Sequence, residues 1–178
     1  ALGHLPLAGL TLLLLYHATR LRAGRVVASW AVILMACSPM FLFSTPTGQS
    51  VPTSLFCVVL AAFGYTLLRV GRSWTGALLL GVAVGFGMMV RPQATAPVGA
   101  VLVAAALLHL AARRRLLPAA ALCLTLAAWA GLMLAYNRVI TGSPLTMPWA
   151  LIKPVEQYGF GRVWEISSYR HTLWTTLE

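Results

Sequence analysis

The sequence predicts an all-α fold: a polytopic membrane helix bundle of about six transmembrane helices, with an outward-facing tail carrying a short interfacial helix. Three observations carry this prediction. Hydrophobic residues make up 60% of the 178 residues and charged residues only 9%, whereas a soluble domain is about 25% charged. The apolar residues come in runs of membrane-crossing length. The cations, twelve arginines and Lys153, lie between those runs in an alternating pattern.

A crossing helix needs about 20 mainly apolar residues, with a range of about 17–25. Six segments read this way: Leu2–Thr19, Val26–Phe43, Thr53–Leu68, Thr75–Val90, Ala94–Ala112 and Pro118–Tyr136. The third and fourth are short, so their connecting turn sits close to the membrane surface or the helices tilt against neighbours. Arg20, Arg22 and Arg25 fall in the first loop, Arg69 and Arg72 in the third, and Arg113, Arg114 and Arg115 in the fifth. The second loop, Ser44 to Ser50, is uncharged, the fourth turn holds only Arg91, and Arg138 follows the sixth segment. Eight basic residues before the tail thus fall on one side and two on the other. The positive-inside rule makes the odd loops cytoplasmic, with the even loops and the tail outside.

Small residues mark where helices pack. Gly81 and Gly85 form a small-xxx-small pattern that Gly76 and Gly87 extend, with Ala100, Ala104 and Ala105 as its expected partners on the next helix. The chain divides into a bundle over residues 1–137 and an extracytoplasmic segment over 138–178. In that segment Ser167 can cap a short helix. Ile166, Tyr169, Leu173, Trp174 and Leu177 then share one face, suited to lying at the headgroup level.

A net charge of +10 and a pI near 10.8 raise nucleic acid as a partner. The arginines sit between apolar runs rather than on a soluble core, so the partner is membrane lipid and not nucleic acid. Cys37, Cys57 and Cys123 lie within apolar runs and show no CxxC spacing, so they read as small buried residues rather than a disulfide or zinc framework. His4, His17, His109 and His171 are scattered without metal-ligand spacing. The chain has no aspartate, and its only acids are Glu156, Glu165 and Glu178. The first 155 residues therefore offer no carboxylate for base, nucleophile or metal-ligand chemistry, and no residue here is assigned a catalytic or metal-binding role.

What remains is cationic and hydrogen-bonding. Arg91-Pro92-Gln93 stands where the fourth span reaches the outer surface, against the positive-inside rule. A guanidinium there can fix a phosphate; equally, it can snorkel to lipid headgroups. Arg138, beside Asn137, is a second outward cation, for which complementing the dipole of a helix's last turn is the simpler role. The loop from Ser44 to Pro52, with Gln49 and Ser50, can hydrogen-bond a sugar or merely turn the chain.

Two stretches carry a resemblance. Tyr136-Asn137-Arg138-Val139-Ile140-Thr141-Gly142-Ser143-Pro144-Leu145-Thr146-Met147-Pro148-Trp149, followed by Tyr158-Gly159-Phe160-Gly161, resembles the "YN…TGxPLxxPY…GFG" stretch of bacterial GT-C glycosyltransferases, similar to protein mannosyltransferases and the lipid A aminoarabinose transferase. Ser38-Pro39-Met40-Phe41 and Val90-Arg91-Pro92-Gln93 resemble their "SPFF" and "TRP" positions. The resemblance covers about residues 26–165. It implies an integral enzyme of the bacterial inner membrane. Such an enzyme takes a sugar from a polyprenyl-phosphate donor and passes it, at the outer face, to an acceptor glycan, lipid or protein. No covalently bound cofactor is implied, and dependence on a divalent metal is left open. Arg91, Gln93 and Arg138 become candidates for the donor phosphate and lipid. Gln49, Ser50, Asn137 and Tyr158 become candidates for sugar or acceptor contacts. Ser50 stands where the family's polar loop often carries a histidine. The acidic residue of the family's first outward loop has no counterpart, so the chain reads as an internal piece of a longer transferase.

Two alternatives belong to other classes. A transporter or flippase-like permease predicts polar or broken helices at mid-membrane, whereas these spans have almost no ionisable residue at their centres. A membrane scaffold requires no chemistry at all.

Overall fold

The computed structural model describes residues 4–44, 51–146 and 148. The described residues form six helices and no strand: α1 (His4–Ala36), α2 (Pro39–Ser44), α3 (Val51–Arg69), α4 (Ser73–Val90), α5 (Pro92–Ala112) and α6 (Leu116–Thr141). Among these residues, α3, α4, α5 and α6 are long and apolar enough to cross a membrane. Each contains its predicted segment and extends it by a turn or less at either end, except that α6 runs on to Thr141. The chain is an integral membrane protein with an all-helical fold. Its outward surface agrees: Leu108, Leu117, Leu124 and Val101 are each about 70% exposed, which suits hydrocarbon rather than water.

The N-terminal region differs in part from the predicted pair of spans. Two helical stretches meet at a break at Gly24, inside the predicted first loop, where φ of 83° and ψ of 177° are open to glycine alone. Arg20, Arg22 and Arg25 flank that break in helix rather than in a loop. Arginine is itself a good helix former, so a charged stretch need not leave the helix. The second predicted span also ends early, at Ala36. Pro39 disfavours helical backbone at Ser38 and opens α2 instead. The stretch from Arg25 to Ala36 is twelve residues, about 18 Å of helix at 1.5 Å per residue, which is short for a crossing. The count of six spans therefore rests, beyond the four long helices, on α1. The predicted tail helix and the loop residues 45–50 lie outside the described residues.

The chain divides into two compact units, Ala1–Ala130 and Gly131–Glu178. In the first, α3 packs against α1, α4 and α5, and α4 also packs against α5. Ala61, Leu68, Ala77, Leu80, Ala83, Val84, Ala106, Leu110 and Leu122 make the buried core. Between α3 and α4 the approach is backbone to backbone. A methyl added at Gly64 would lie 2.7 Å from the Leu80 nitrogen, and one at Gly76 would lie 2.6 Å from the Gly64 carbonyl oxygen. Gly81 and Gly85 do form a packing face, but their neighbours are Thr125 and Trp129 of α6. The alanine partners expected on α5 are corrected: Ala100 and Ala104 are exposed, and α5 turns Thr95, Gly99, Ala106 and Leu110 inward instead.

Two turns close with the same hydrogen-bond signature. After α3, Arg72 N–H donates to Leu67 O at 2.9 Å and Gly71 N–H to Leu68 O at 3.3 Å. After α5, Arg115 N–H donates to Leu110 O and Arg114 N–H to Ala111 O, both at 2.9 Å. These are Schellman closures, which require a left-handed residue past the helix end. Gly71 supplies it with φ 97°, and Arg114 adopts it with φ 54°. Arg115 Nη1 reaches the first turn, donating to Ser73 Oγ and, at 3.3 Å, to Gly71 O. Arg22 lies 4.9 Å over the Tyr65 ring. The three basic stretches therefore converge on one end of the bundle. Arg91 lies at the other end of α4, whose 18 residues rise about 27 Å.

Candidate functional site

The backbone at Arg91 is set by its neighbour. Pro92 has no N–H and pushes the preceding residue out of helical geometry; Arg91 accordingly sits extended, at φ −156° and ψ 83°. Its N–H caps α4 by donating to Gly87 O at 2.9 Å. Its carbonyl accepts from Ala94 N–H at 3.2 Å and from Thr95 N–H at 3.1 Å, opening α5. One residue thus closes one helix and starts the next, with its side chain at the joint.

That joint borders a cavity of about 690 Å³, within the range of about 300–1,000 Å³ usual for small-ligand sites. Its apolar wall is Met35, Phe41, Val51, Leu55, Val58 and Ala94. Its polar groups are Arg91, Gln93, Ser38 and Ser54. Ser54 is buried and donates its hydroxyl to Val51 O at 2.9 Å, leaving an oxygen to accept. Arg91 is half-buried, and Gln93 is exposed in the first turn of α5. The positive end of that 21-residue helix adds to the guanidinium's field. The cavity therefore offers a hydrocarbon-lined wall and an anion-attracting corner in one space.

The other sequence candidates fall elsewhere. Asn137 and Arg138 belong to the second unit, near the end of α6, one and two residues beyond the predicted span end. Asn137 is 2% exposed and donates from Nδ2 to Pro144 O at 3.1 Å. Thr141 Oγ1 donates to Asn137 O at 2.8 Å and accepts from Ser143 N–H at 3.2 Å. Gly142, at φ 77°, ends the helix by donating its N–H to Arg138 O at 3.0 Å. The Thr-Gly-Ser-Pro stretch is thus a hydrogen-bonded helix stop, with Arg138 exposed in its last turn. Gln49, Ser50 and Tyr158 lie outside the described residues.

Sequence reading missed the cavity's apolar wall, whose residues come from α1, α2, α3 and α5. The only signal that could have pointed to it was the shared break chemistry of Ser38-Pro39 and Arg91-Pro92, which brings two helix ends to one level. Among the described residues no group of three or more His, Cys, Asp or Glu could hold a metal.

Fold and cavity define an integral-membrane helix bundle with a part-apolar, part-cationic cavity at a helix joint. The particular family follows from the sequence: the family model described as dolichyl-phosphate-mannose-protein mannosyltransferase matches residues 3–136. The chain belongs to that family of membrane glycosyltransferases, which bears out the GT-C resemblance. The match covers Ser38-Pro39, the cavity and Arg91, and it ends where the Tyr136–Trp149 stretch begins. No curated protein and no solved structure matches the chain.

Proposed function

We propose that this protein takes a sugar from a polyprenyl-phosphate donor and that the cavity at the Arg91 joint receives the donor's lipid-phosphate end. The observation that carries the reading is the placement of Arg91 beside an apolar wall. A prenyl phosphate has both chemistries within a few atoms: a chain that gains nothing from water and an anion that needs a donor. Arg91 takes phosphate oxygens through its planar fork, Gln93 donates a further hydrogen bond, and the N-terminus of α5 favours the negative charge. Met35, Leu55 and Val58 take the first prenyl units.

The arginine-rich end faces the cytoplasm by the positive-inside rule. The cavity then opens to the outer face of a bacterial inner membrane, where the acceptor is a glycan, lipid or protein. Residues 1–155 hold no acid, so this region binds and orients the donor, and the carboxylate of the transfer step comes from elsewhere.

The test is binding of a polyprenyl-phosphate sugar by the full-length protein in detergent, comparing wild type with Arg91→Ala and Arg91→Lys. Loss of a charged hydrogen-bond pair is worth about 1.5–3 kcal/mol, a loss of about 10- to 150-fold in affinity. Arg91→Lys should recover part of it. Wild-type affinity in Arg91→Ala, at unchanged melting temperature, rejects the role.

A further inference from the structure

The arginine-rich end holds a second cavity, of about 450 Å³, between α1 and α3 and remote from Arg91. His17, Arg20 and Arg72 line it together with Leu21, Phe63 and Leu67. The other cations at this end are in part engaged. Arg22 stacks on Tyr65, and Arg115 is bound to Gly71 O and Ser73 Oγ. The guanidinium groups of Arg20 and Arg72 have no hydrogen-bond or ion-pair partner among the described residues, which contain no acid at all. Two exposed guanidiniums therefore face one space that the described protein does not neutralise.

We infer that this cavity is a binding site for an acidic phospholipid, with the phosphate between Arg20 and Arg72 and the acyl region against Leu21, Phe63 and Leu67. The shared chemistry with a free phosphate is the anion. The apolar wall commits the site to a lipid, because a free phosphate gains nothing from Phe63 or Leu67, whereas an acyl chain buries against them. Basic pockets between membrane helices suit anionic headgroups in this way. His17, whose ring stacks edge-on with Tyr16 at 5.6 Å, adds a hydrogen-bonding edge. The site is independent of the donor cavity: it uses other residues at the opposite end of α4.

The experiment titrates the full-length protein, in a zwitterionic detergent, with short-chain phosphatidylglycerol, phosphatidylcholine or inorganic phosphate, read by native mass spectrometry. Arg20→Gln/Arg72→Gln is compared with a charge-matched control, Arg25→Gln/Arg113→Gln, whose arginines are exposed and do not line the cavity. Each arginine near an anionic headgroup contributes about fivefold, so the cavity variant should bind phosphatidylglycerol about 30-fold more weakly. The control should stay near wild type, and phosphatidylcholine should bind poorly to all. Equal loss in both double variants overturns the site in favour of unspecific charge attraction. Displacement of phosphatidylglycerol by millimolar inorganic phosphate overturns the lipid assignment. Melting temperatures within a few degrees of wild type establish that the variants are folded.

Discussion

Gly64→Ala tests the close approach of α3 and α4. The new methyl would stand 2.7 Å from the Leu80 backbone nitrogen and 3.1 Å from the Gly76 carbonyl oxygen. Both are backbone atoms, so no side chain can swing aside. Ordinary contact begins at 3.4 Å, and reaching it moves the helices apart by 0.7 Å. A gap of that size forfeits about a quarter to a half of each dispersion well. Leu68 and Leu80, at 1% and 0% exposed, lie in this interface. A buried leucine makes about 40–60 contacts of about 0.1–0.2 kcal/mol. Taking a third of them as lying across the interface gives a loss of about 1–3 kcal/mol, which agrees with the cost usual for overpacked cores. Gly9→Ala is the control, because its methyl meets nothing within 4 Å. Both substitutions share the gain of about 0.5–1 kcal/mol from replacing a helical glycine, so their difference isolates the steric cost. Thermal unfolding of the two variants in one detergent should separate them by about 2–12 °C, at about 2–4 °C per kcal/mol for a chain of this size. Equal melting temperatures would refute backbone contact between the helices.

Two further predictions address single groups. The Thr95 hydroxyl is buried without a hydrogen-bond partner among the described residues, so Thr95→Val, which keeps the branched shape, should stabilise the protein by about 1 kcal/mol; a lower melting temperature would mean that the hydroxyl has a partner. Cys37 is exposed beyond the end of α1, Cys57 is buried, and Cys123 is exposed two turns into α6. In intact membranes a water-soluble maleimide should modify Cys37 fastest and leave Cys57 and Cys123 largely unreacted, and rapid reaction at Cys123 would contradict a lipid-covered α6.

How far the sequence could be read depended on which physical signal was available. The four long helices were legible because a run too apolar for water, bounded by arginine or proline, has one reading. The Arg91-Pro92 joint was legible for the same reason, since proline constrains its predecessor whatever the surroundings. The break at Gly24 was legible in place but not in form: the flanking arginines marked where the first helical stretch ends, while the structure needs only one glycine, not a loop, to make the break. The partners of Gly81 and Gly85 were hidden because a helix apolar on every side carries no periodic stripe to say which face meets which neighbour. Trp129 and Thr125 had no reason to stand out in α6. The cavity was least legible of all: Met35, Val51 and Arg91 become neighbours only when three helix ends meet.

The joint between α4 and α5 also separates architecture from chemistry. Every bond that holds it is made by the main chain of residue 91 or imposed by the ring of residue 92. Any side chain placed before that proline should inherit the same backbone. The corner of the cavity is therefore a socket whose occupant can be exchanged, for a lysine, a histidine or a neutral group, while the helices around it stay in register. A cavity built this way can have its charge changed at one position without the helices being refolded around the change.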